Sequence, residues 1–197
     1  MNTTIRWQAY APRQARWAQL GQRPAIAWLT GLPGSGKTTI SDAVDRRLAT
    51  HGRHVCVLDG DNLRHGLCSD LGFSAADRAE NVRRTAEVAR LMAEAGLVVI
   101  VSLISPFRAD RARARAIAGH LPFLEVYVDT SLATCEARDP KGLYARARAG
   151  AITAFTGVSA PYELPEGPDL TLRTQGLTVA ASAEPLCARL MELSASA

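Results

Sequence analysis

The sequence has 197 residues, a length that suits one domain with a substantial buried core. Its hydrophobic fraction of 47% and charged fraction of 21% are typical of a globular protein and exclude a disordered or fibrous chain. The formal charge of +4 is mild, and no apolar run reaches the roughly 20 residues that a membrane helix needs. The N-terminus also lacks the apolar segment of a secretory signal, so we expect a cytoplasmic protein.

The first 23 residues differ from the rest of the chain. Residues 1–23 are polar and irregular, which predicts an N-terminal arm that is flexible or loosely docked. Trp7, Tyr10 and Trp17 are candidate anchors for this arm. Residues 24–197 are predicted to form one domain.

Within that domain, short apolar runs alternate with helical patterns. The predicted strands are residues 25–29, 55–58, 97–103, 123–128 and 170–173. The predicted helices are residues 37–51, 74–95 and 107–119, followed by a C-terminal helix that Pro185 either kinks or begins. This alternation predicts an α/β fold, with a parallel sheet and helices on both faces. Ligands of such sheets bind at the carboxyl ends of the strands.

The segment GLPGSGKTT directly follows the first predicted strand and leads into the first predicted long helix. It matches the phosphate-binding P-loop pattern in full, and the strand and helix on either side are the context that the motif requires. Lys37 is expected to reach the β- and γ-phosphates of a nucleotide, and Thr38 to offer its hydroxyl to Mg²⁺. The predicted ATP-binding residues are Gly31, Leu32, Pro33, Gly34, Ser35, Gly36, Lys37, Thr38 and Thr39.

The acceptor of the phosphate has to be found elsewhere in the sequence. Water would be the acceptor in a motor, a GTPase or a regulatory ATPase, whereas a small-molecule kinase would use a hydroxyl group. The base-reading NKxD motif of GTPases is not in the sequence. Asp59 and Asp61 follow the second strand, and two carboxylates at this spacing can serve a metal and an acceptor hydroxyl respectively. Thr38 and Asp59 are therefore the predicted Mg²⁺ ligands.

Further polar and aromatic residues point to a second anion site. Arg78 and Asn81 are three residues apart, so they share one face near the start of a helix. Arg64 and Phe73 precede that helix and add a second guanidinium and a ring that can stack on a base. The third strand ends in ISPFR, which places the Ser105 hydroxyl and another arginine at the same sheet edge. These residues favour a kinase of a small anionic substrate.

The remaining basic residues and the cysteines suggest no other chemistry. Arginines concentrate in residues 108–115 and 138–148, but few aromatic residues lie among them, and we expect no nucleic-acid partner. The four cysteines show neither CxxC pairing nor clustered histidines, which predicts ordinary reduced thiols.

Three long segments together resemble one known family. DGDNLRHGLCSDLGFSAADRAENVRRTAEVARLMAEAG, ISPFR and CEARDPKGLYARARAGAITAFTGVSAPYELP are similar to adenylylsulfate (APS) kinases, in the family's order, and the similarity runs from about Trp28 to Pro165. The resemblance implies a P-loop kinase fold and a homodimer. It also implies that ATP phosphorylates the 3′-hydroxyl of adenosine 5′-phosphosulfate, giving 3′-phosphoadenosine 5′-phosphosulfate and ADP. The arm before Trp28 and the tail after Pro168 are only loosely similar.

The resemblance also implies roles for individual residues. The implied catalytic residues are Asp61, which activates the 3′-hydroxyl, Lys37, and Ser105, which contacts substrate and is described as a phosphoserine intermediate in bacterial members. Phe73 and Phe155 would sandwich the adenine of APS, and residues 138–156 would form a lid that excludes water. The implied substrate-binding residues are Asp61, Asn62, Arg64, Phe73, Arg78, Asn81, Ile104, Ser105, Lys141 and Phe155. An ATP sulfurylase on another chain is an expected functional partner.

Overall fold

A computed structural model describes residues 13–196, which form five strands and eight helices. The strands are β1 (Ala25–Thr30), β2 (Val55–Asp59), β3 (Val98–Ser102), β4 (Phe123–Asp129) and β5 (Leu170–Arg173). The helices are α1 (Arg13–Leu20), α2 (Lys37–Thr50), α3 (Gly60–Arg64), α4 (Ala75–Glu94), α5 (Arg108–Ala118), α6 (Leu132–Arg138), α7 (Leu143–Arg148) and α8 (Val179–Leu193).

The strands form one parallel sheet in the order β2-β3-β1-β4-β5, as the alternation predicts. The central strands β1 and β3 are buried along their whole length, because helices cover both faces of the sheet. The register aligns Ser102 with Leu29 on one side and with Asp59 on the other. The carboxyl ends of β1, β2 and β3 therefore lie at one level, and the loops that follow them share one edge.

Alternate residues of the strands supply two separate cores. On one face, Leu29 and Ile100 pack with residues of α2 and α8 such as Leu48 and Leu190. On the other face, Trp28 and Val101 pack with residues of α4 and α5. The period of two along each strand separates the two sets.

Helix α4 begins where the sequence predicts, and its cap explains why. The Ser74 hydroxyl accepts a hydrogen bond from the Asp77 backbone N–H, and the Asp77 carboxylate accepts one from the Ser74 backbone N–H. This capping box satisfies two N–H groups that lack a partner within the helix. It fixes the first turns of α4, which carry Arg78 and Asn81.

The sequence predicts an irregular arm over residues 1–23, but residues 13–20 form the helix α1. Trp17 packs on the α4 face of the sheet and its indole N–H donates to the Glu94 carbonyl at 3.2 Å, so the candidate anchor is confirmed. Arg13 forms an ion pair with the Glu94 carboxylate at 2.6 Å. These contacts hold the Trp17 side of α1 against α4 and the sheet. Trp7 and Tyr10 lie outside the described residues.

Other differences are confined to short or interrupted helices. The basic segment after β4 contains α6 and α7, and the turn after β2 contains α3. Helix α8 begins at Val179, where the Thr178 hydroxyl accepts from the Ala181 N–H, so Pro185 lies inside the helix and does not begin it. The four cysteines are free thiols, in agreement with the sequence. Within residues 13–196, no helix is long and apolar enough to cross a membrane.

Candidate active site

The phosphate loop, residues 31–38, connects β1 to α2 and has a backbone that only glycine permits at two positions. Gly31 has φ 153°, and a Cβ atom there would lie 2.8 Å from the Val128 carbonyl oxygen. Gly36 has φ 103° and caps α2 in the left-handed region. The loop therefore places its N–H groups at the N-terminus of a 14-residue helix, where an anion is stabilised.

Lys37 is the cation of this loop and is only 8% exposed. Its Nζ donates to the carbonyl oxygens of Gly31 and Leu32 at 2.9 and 2.8 Å. Burial lowers the pKa of Lys37 to about 8, and nearby Cys135, Asp59 and Asp61 oppose part of that shift. Loop carbonyls thus hold the ammonium group at the position where phosphate oxygens would replace them.

Thr38 and Asp59 are in direct contact, as expected for two residues that share a metal ion. The Thr38 hydroxyl donates to Asp59 Oδ2 at 2.8 Å, while Asp59 Oδ1 accepts from the Asp61 backbone N–H at 3.0 Å. Ser102 is aligned with Asp59 in the sheet, and its buried Oγ has no hydrogen-bond partner. No group of three or more acidic, histidine or cysteine ligands occurs among residues 13–196. Two hydroxyls and one carboxylate fit Mg²⁺, which keeps water and phosphate oxygens as its other ligands.

Asp61 and Asn62 lie on α3, directly after β2. Asp59 caps this short helix by accepting from the Asp61 N–H, so the two carboxylates lie two positions apart at the start of α3. The Asp61 carboxylate is largely exposed and forms an ion pair with Lys141, which lies between α6 and α7. The structure thus brings together Asp61 and Lys141, two predicted site residues that are 80 positions apart.

Arg64, Phe73 and Arg78 form a cationic and aromatic cluster beside α3. Phe73 is 61% exposed, and the guanidinium groups of Arg64 and Arg78 lie 4.3 and 5.6 Å from its ring centre. Arg78 donates to the carbonyl oxygens of Phe73 at 3.0 Å and Ala154 at 3.1 Å. Burial and the neighbouring Arg64 lower the pKa of Arg78 below its ordinary value. Two repelling guanidinium groups in one place are a feature of sites that bind anions.

Asn81 lies one turn further along α4 and is 3% exposed. Its Nδ2 is buried and has no hydrogen-bond partner in the protein. A buried amide left unsatisfied costs free energy, about 1–3 kcal/mol, unless a ligand or water accepts from it. The unused donor of Asn81 is therefore available to a substrate.

Ser105 follows β3 and is buried, at 3% exposure. Its hydroxyl accepts a hydrogen bond from the Trp28 indole N–H at 3.1 Å, and its backbone has a φ of 37°, which is unusual for a residue with a side chain. The carbonyl of Ile104 accepts from the Thr30 hydroxyl at 2.7 Å. The predicted ISPFR segment does lie at the common sheet edge, but the Ser105 hydroxyl is bonded to the interior.

The predicted lid, residues 138–156, lies against both halves of the site. The Tyr144 hydroxyl donates to the Pro33 carbonyl of the phosphate loop at 2.8 Å. Phe155 is 8% exposed and packs edge-on against Tyr144, with ring centres 5.0 Å apart. Arg78 connects the backbone of Phe73 to that of Ala154, the residue before Phe155. The two predicted base-stacking residues differ in environment, because Phe155 is buried and Phe73 is exposed.

Some residues of the site do not stand out in the sequence. The guanidinium of Arg138 donates to the Ser35 carbonyl at 3.4 Å and to Thr174 Oγ1 at 3.2 Å, which places a second cation beside the phosphate loop. Trp28 contacts Ser105, and Tyr144 contacts the phosphate loop, although each is far from its partner in the sequence. Arg138 belongs to a recognisable basic stretch of the sequence. Trp28 lies in an apolar strand and Tyr144 in a short helix, and neither context predicts a role in the site.

A phosphate loop at the edge of a parallel sheet, with a carboxylate, two arginines and an unused amide donor on α3 and α4, is the arrangement of a P-loop kinase. The chain matches the sequence model of the adenylylsulphate kinase family over residues 23–173. It is 51% identical to the adenylyl-sulfate kinase of Aeromonas hydrophila over 185 residues, covering 93% of this chain and 94% of that one. The solved Mycobacterium tuberculosis APS kinase CysC, in complex with AMPPNP and APS, is similar with a TM-score of 0.82 and 51% identity, covering 86% of this chain and 98% of that one.

A third relative is longer than this chain. The bifunctional enzyme NodQ of Rhizobium tropici is 58% identical over 173 residues, which are 87% of this chain but 27% of NodQ. The chain therefore spans about a quarter of the length of that relative and nearly all of the Aeromonas relative. This chain belongs to the adenylylsulphate kinase family, and it is an ATP-dependent phosphotransferase.

Proposed function

We propose that this chain transfers the γ-phosphate of ATP to the 3′-hydroxyl of adenosine 5′-phosphosulfate. The observation that carries the proposal is the position of Asp61. Its carboxylate is exposed, lies two residues beyond the Asp59 carboxylate bonded to Thr38, and is paired with a lid lysine. An acceptor hydroxyl that replaces Lys141 at Asp61 would be oriented towards the phosphate above the phosphate loop.

The nucleotide is held by the phosphate loop and Lys37, which exchanges its loop carbonyl partners for phosphate oxygens. Thr38 and Asp59 would hold Mg²⁺, which would neutralise charge on the transferring phosphate. Asp61 accepts a hydrogen bond from the acceptor hydroxyl and takes its proton as the new P–O bond forms. The products are ADP and 3′-phosphoadenosine 5′-phosphosulfate.

The acceptor is bound by the cluster on α3 and α4 and by the lid. Arg64 and Arg78 neutralise the phosphosulfate group, while the free Nδ2 of Asn81 donates to an oxygen of the substrate. Phe73 and Phe155 stack on the two faces of the adenine ring, and this requires Phe155 to move out of its packing with Tyr144. Asn62, Ile104, Ser105 and Lys141 complete the pocket. The relative from Mycobacterium tuberculosis, described with APS bound, supports this substrate.

Ser105 contacts the substrate without forming a covalent intermediate. Its hydroxyl already accepts a hydrogen bond from the Trp28 indole, so the proton that it carries is free to be donated to a substrate oxygen. A direct transfer between ATP and the 3′-hydroxyl needs no phosphoserine.

The partner assignments rest on the family. A homodimer and a functional connection to an ATP sulfurylase on another chain stay predictions. A hexameric relative supports self-association of this family, and relatives that are called bifunctional enzymes support a connection to a second activity.

The proposed function is tested by measuring ADP release from ATP and Mg²⁺ with APS, adenosine monophosphate or shikimate as acceptor. We expect turnover with APS alone, and loss of Mg²⁺ to abolish it. Asp61→Ala should lower kcat by about 10²- to 10⁴-fold, because a positioned general base contributes that much. Ser105→Ala should retain phosphate transfer, since no covalent bond to Ser105 is formed.

Asp42→Ala is a matched control, since Asp42 is an exposed carboxylate of α2 that pairs with Arg46 on the same helix. Equal ADP release with and without APS would mean that the phosphate goes to water, and the kinase assignment would be wrong. Complete loss of transfer in Ser105→Ala, with APS binding unchanged, would restore the covalent route.

A further inference from the structure

Arg111 is a buried arginine that none of the roles above uses. It lies on α5 and is 2% exposed. Its Nε donates to Glu125 Oε1 at 2.6 Å, its Nη1 to the Ser105 carbonyl at 2.7 Å and its Nη2 to the Glu163 carbonyl at 2.8 Å. One planar group thus joins α5 to β4, to the loop after β3 and to the segment that follows the lid.

The ion pair with Glu125 explains how a guanidinium can be buried at this position. A buried charge without a partner is strongly destabilising, and Glu125, with a side chain 18% exposed, supplies the opposite charge. The contacts with the Ser105 and Glu163 carbonyls use the two Nη donors of the same planar guanidinium, whose directions are fixed relative to Nε. A lysine could pair with Glu125, but its single nitrogen could not hold both carbonyl groups in the same geometry.

The first of these carbonyl groups belongs to a strained residue. Ser105 has φ 37°, a conformation that costs free energy and persists only where surrounding contacts impose it. Trp28 donates to the hydroxyl of Ser105, while Arg111 donates to its carbonyl at 2.7 Å and the Thr30 hydroxyl donates to the same carbonyl at 3.4 Å. Without Arg111, the backbone of the loop that presents Ile104 and Ser105 could relax.

The second carbonyl group belongs to Glu163, in the segment after the lid. This segment is joined to the Ser105 loop by three more hydrogen bonds: Glu163 N–H to the Pro106 carbonyl at 2.9 Å, Arg108 N–H to Glu163 Oε2 at 2.7 Å, and Arg108 Nε to the Leu164 carbonyl at 2.7 Å. Tyr162 adds a contact to β1, because its hydroxyl lies 2.9 Å from Thr30 Oγ1. The end of the lid is therefore attached to the acceptor side of the sheet.

We propose that Arg111 is a positioning residue for the acceptor substrate, which fixes the Ser105 loop and the end of the lid relative to each other. The acceptor then meets Ser105 and the lid residues Lys141 and Phe155 in one fixed arrangement. Arg111 makes none of its three contacts with the phosphate loop, so its effect is on the acceptor and not on ATP. This inference rests on the proposed function, because it assigns the Ser105 loop to APS.

The test compares Arg111→Lys with the wild type in steady-state assays that vary APS and ATP separately. We expect kcat/KM for APS to fall by about 10- to 100-fold, the usual effect of misplacing a bound group by about 1 Å. The KM for ATP should stay within about twofold of wild type, since the phosphate loop keeps its contacts. Arg115→Lys is the matched control. Arg115 lies four residues further along α5 and pairs with Asp169, and we expect this variant to resemble the wild type with both substrates.

A purely structural role predicts a different result. Thermal unfolding of each variant separates loss of folded protein from loss of positioning. If Arg111→Lys does not fold, the double variant Arg111→Met with Glu125→Leu replaces the ion pair by apolar groups of similar volume, which folded proteins often accept. That variant should show the same selective loss with APS.

Two outcomes would overturn the inference. One is a folded Arg111 variant with wild-type kcat/KM for APS. The other is a KM for ATP that rises as much as the KM for APS. If the wild type itself does not phosphorylate APS, the proposed function is wrong. That failure is distinguishable from a failure of the inference about Arg111, because it is seen in the wild type without any variant.

Discussion

At the scale of single residues, two buried polar groups of the site lack the partners that a bound ligand would supply. Lys37 is buried against loop carbonyls, and the Nδ2 of Asn81 has no partner at all. Both groups are costly to fold and gain their best partners only when a ligand supplies oxygen atoms. Both residues were singled out from the sequence, whereas the carbonyl partners of Lys37 and the missing partner of Asn81 Nδ2 are visible only in the folded protein.

The lowered pKa of Lys37 predicts a pH dependence of ATP use. In the free enzyme the ammonium group loses its proton as the pH rises through about 8, so kcat/KM for ATP should fall above that pH. The unfolded chain still binds this proton up to about pH 10.5, so the stability of the ligand-free protein should rise over the same window. Initial rates at low ATP concentration across pH 7–10 measure the first effect.

Lys37→Arg provides the control for this pH profile, since a guanidinium stays charged throughout the range. Its activity will be lower, but the decline above pH 8 should be absent. A wild-type profile that stays flat to pH 10 would show that Lys37 keeps its proton, and that burial does not control its charge.

At the scale of secondary structure, helix ends position the acceptor residues. Asp59 caps α3, which carries Asp61, and the capping box at Ser74 begins α4, which carries Arg78 and Asn81. The box was predictable from the S-x-x-D pattern. Helix α3 was not predicted, because five residues with a glycine give no helical period, and only its cap and its place after β2 define it.

Ser74→Ala tests the role of the cap. It removes the acceptor of the Asp77 N–H, 3.1 Å from the Ser74 hydroxyl, and should lower the free energy of unfolding by about 1 kcal/mol. Urea denaturation measures this change. Fraying of the first turn would also raise the KM for APS more than that for ATP. Ser74→Thr keeps an acceptor and should recover most of the loss, while an unchanged urea midpoint in Ser74→Ala would show that the cap contributes nothing.

At the scale of the whole molecule, the parallel sheet brings the ends of β1, β2 and β3 to one level, and the lid connects the ATP half to the acceptor half. Tyr144 contacts the phosphate loop, and Lys141 contacts Asp61. Under the proposed function this one short segment would reach both substrates, and its closure would depend on both being present. The arrangement would keep water from the transferring phosphate.

The association state is a prediction at this scale. We expect the purified chain to sediment as a homodimer, with twice the 21.1 kDa of one chain, because the family resemblance implies one. Sedimentation velocity over a range of protein concentrations measures it. A single species of 21.1 kDa at every concentration would contradict the prediction, without affecting the assignment of the reaction.

The sequence alone determined the parallel α/β fold, the phosphate loop and the family, because these depend on local patterns: apolar runs, glycine spacing and long contiguous motifs. Only the tertiary structure decided which distant groups meet. The helix at residues 13–20, the bond from Trp28 to Ser105 and the three contacts of Arg111 arise from packing between elements far apart in the chain. No local pattern encodes them, since burial and hydrogen-bond satisfaction are properties of the assembled fold.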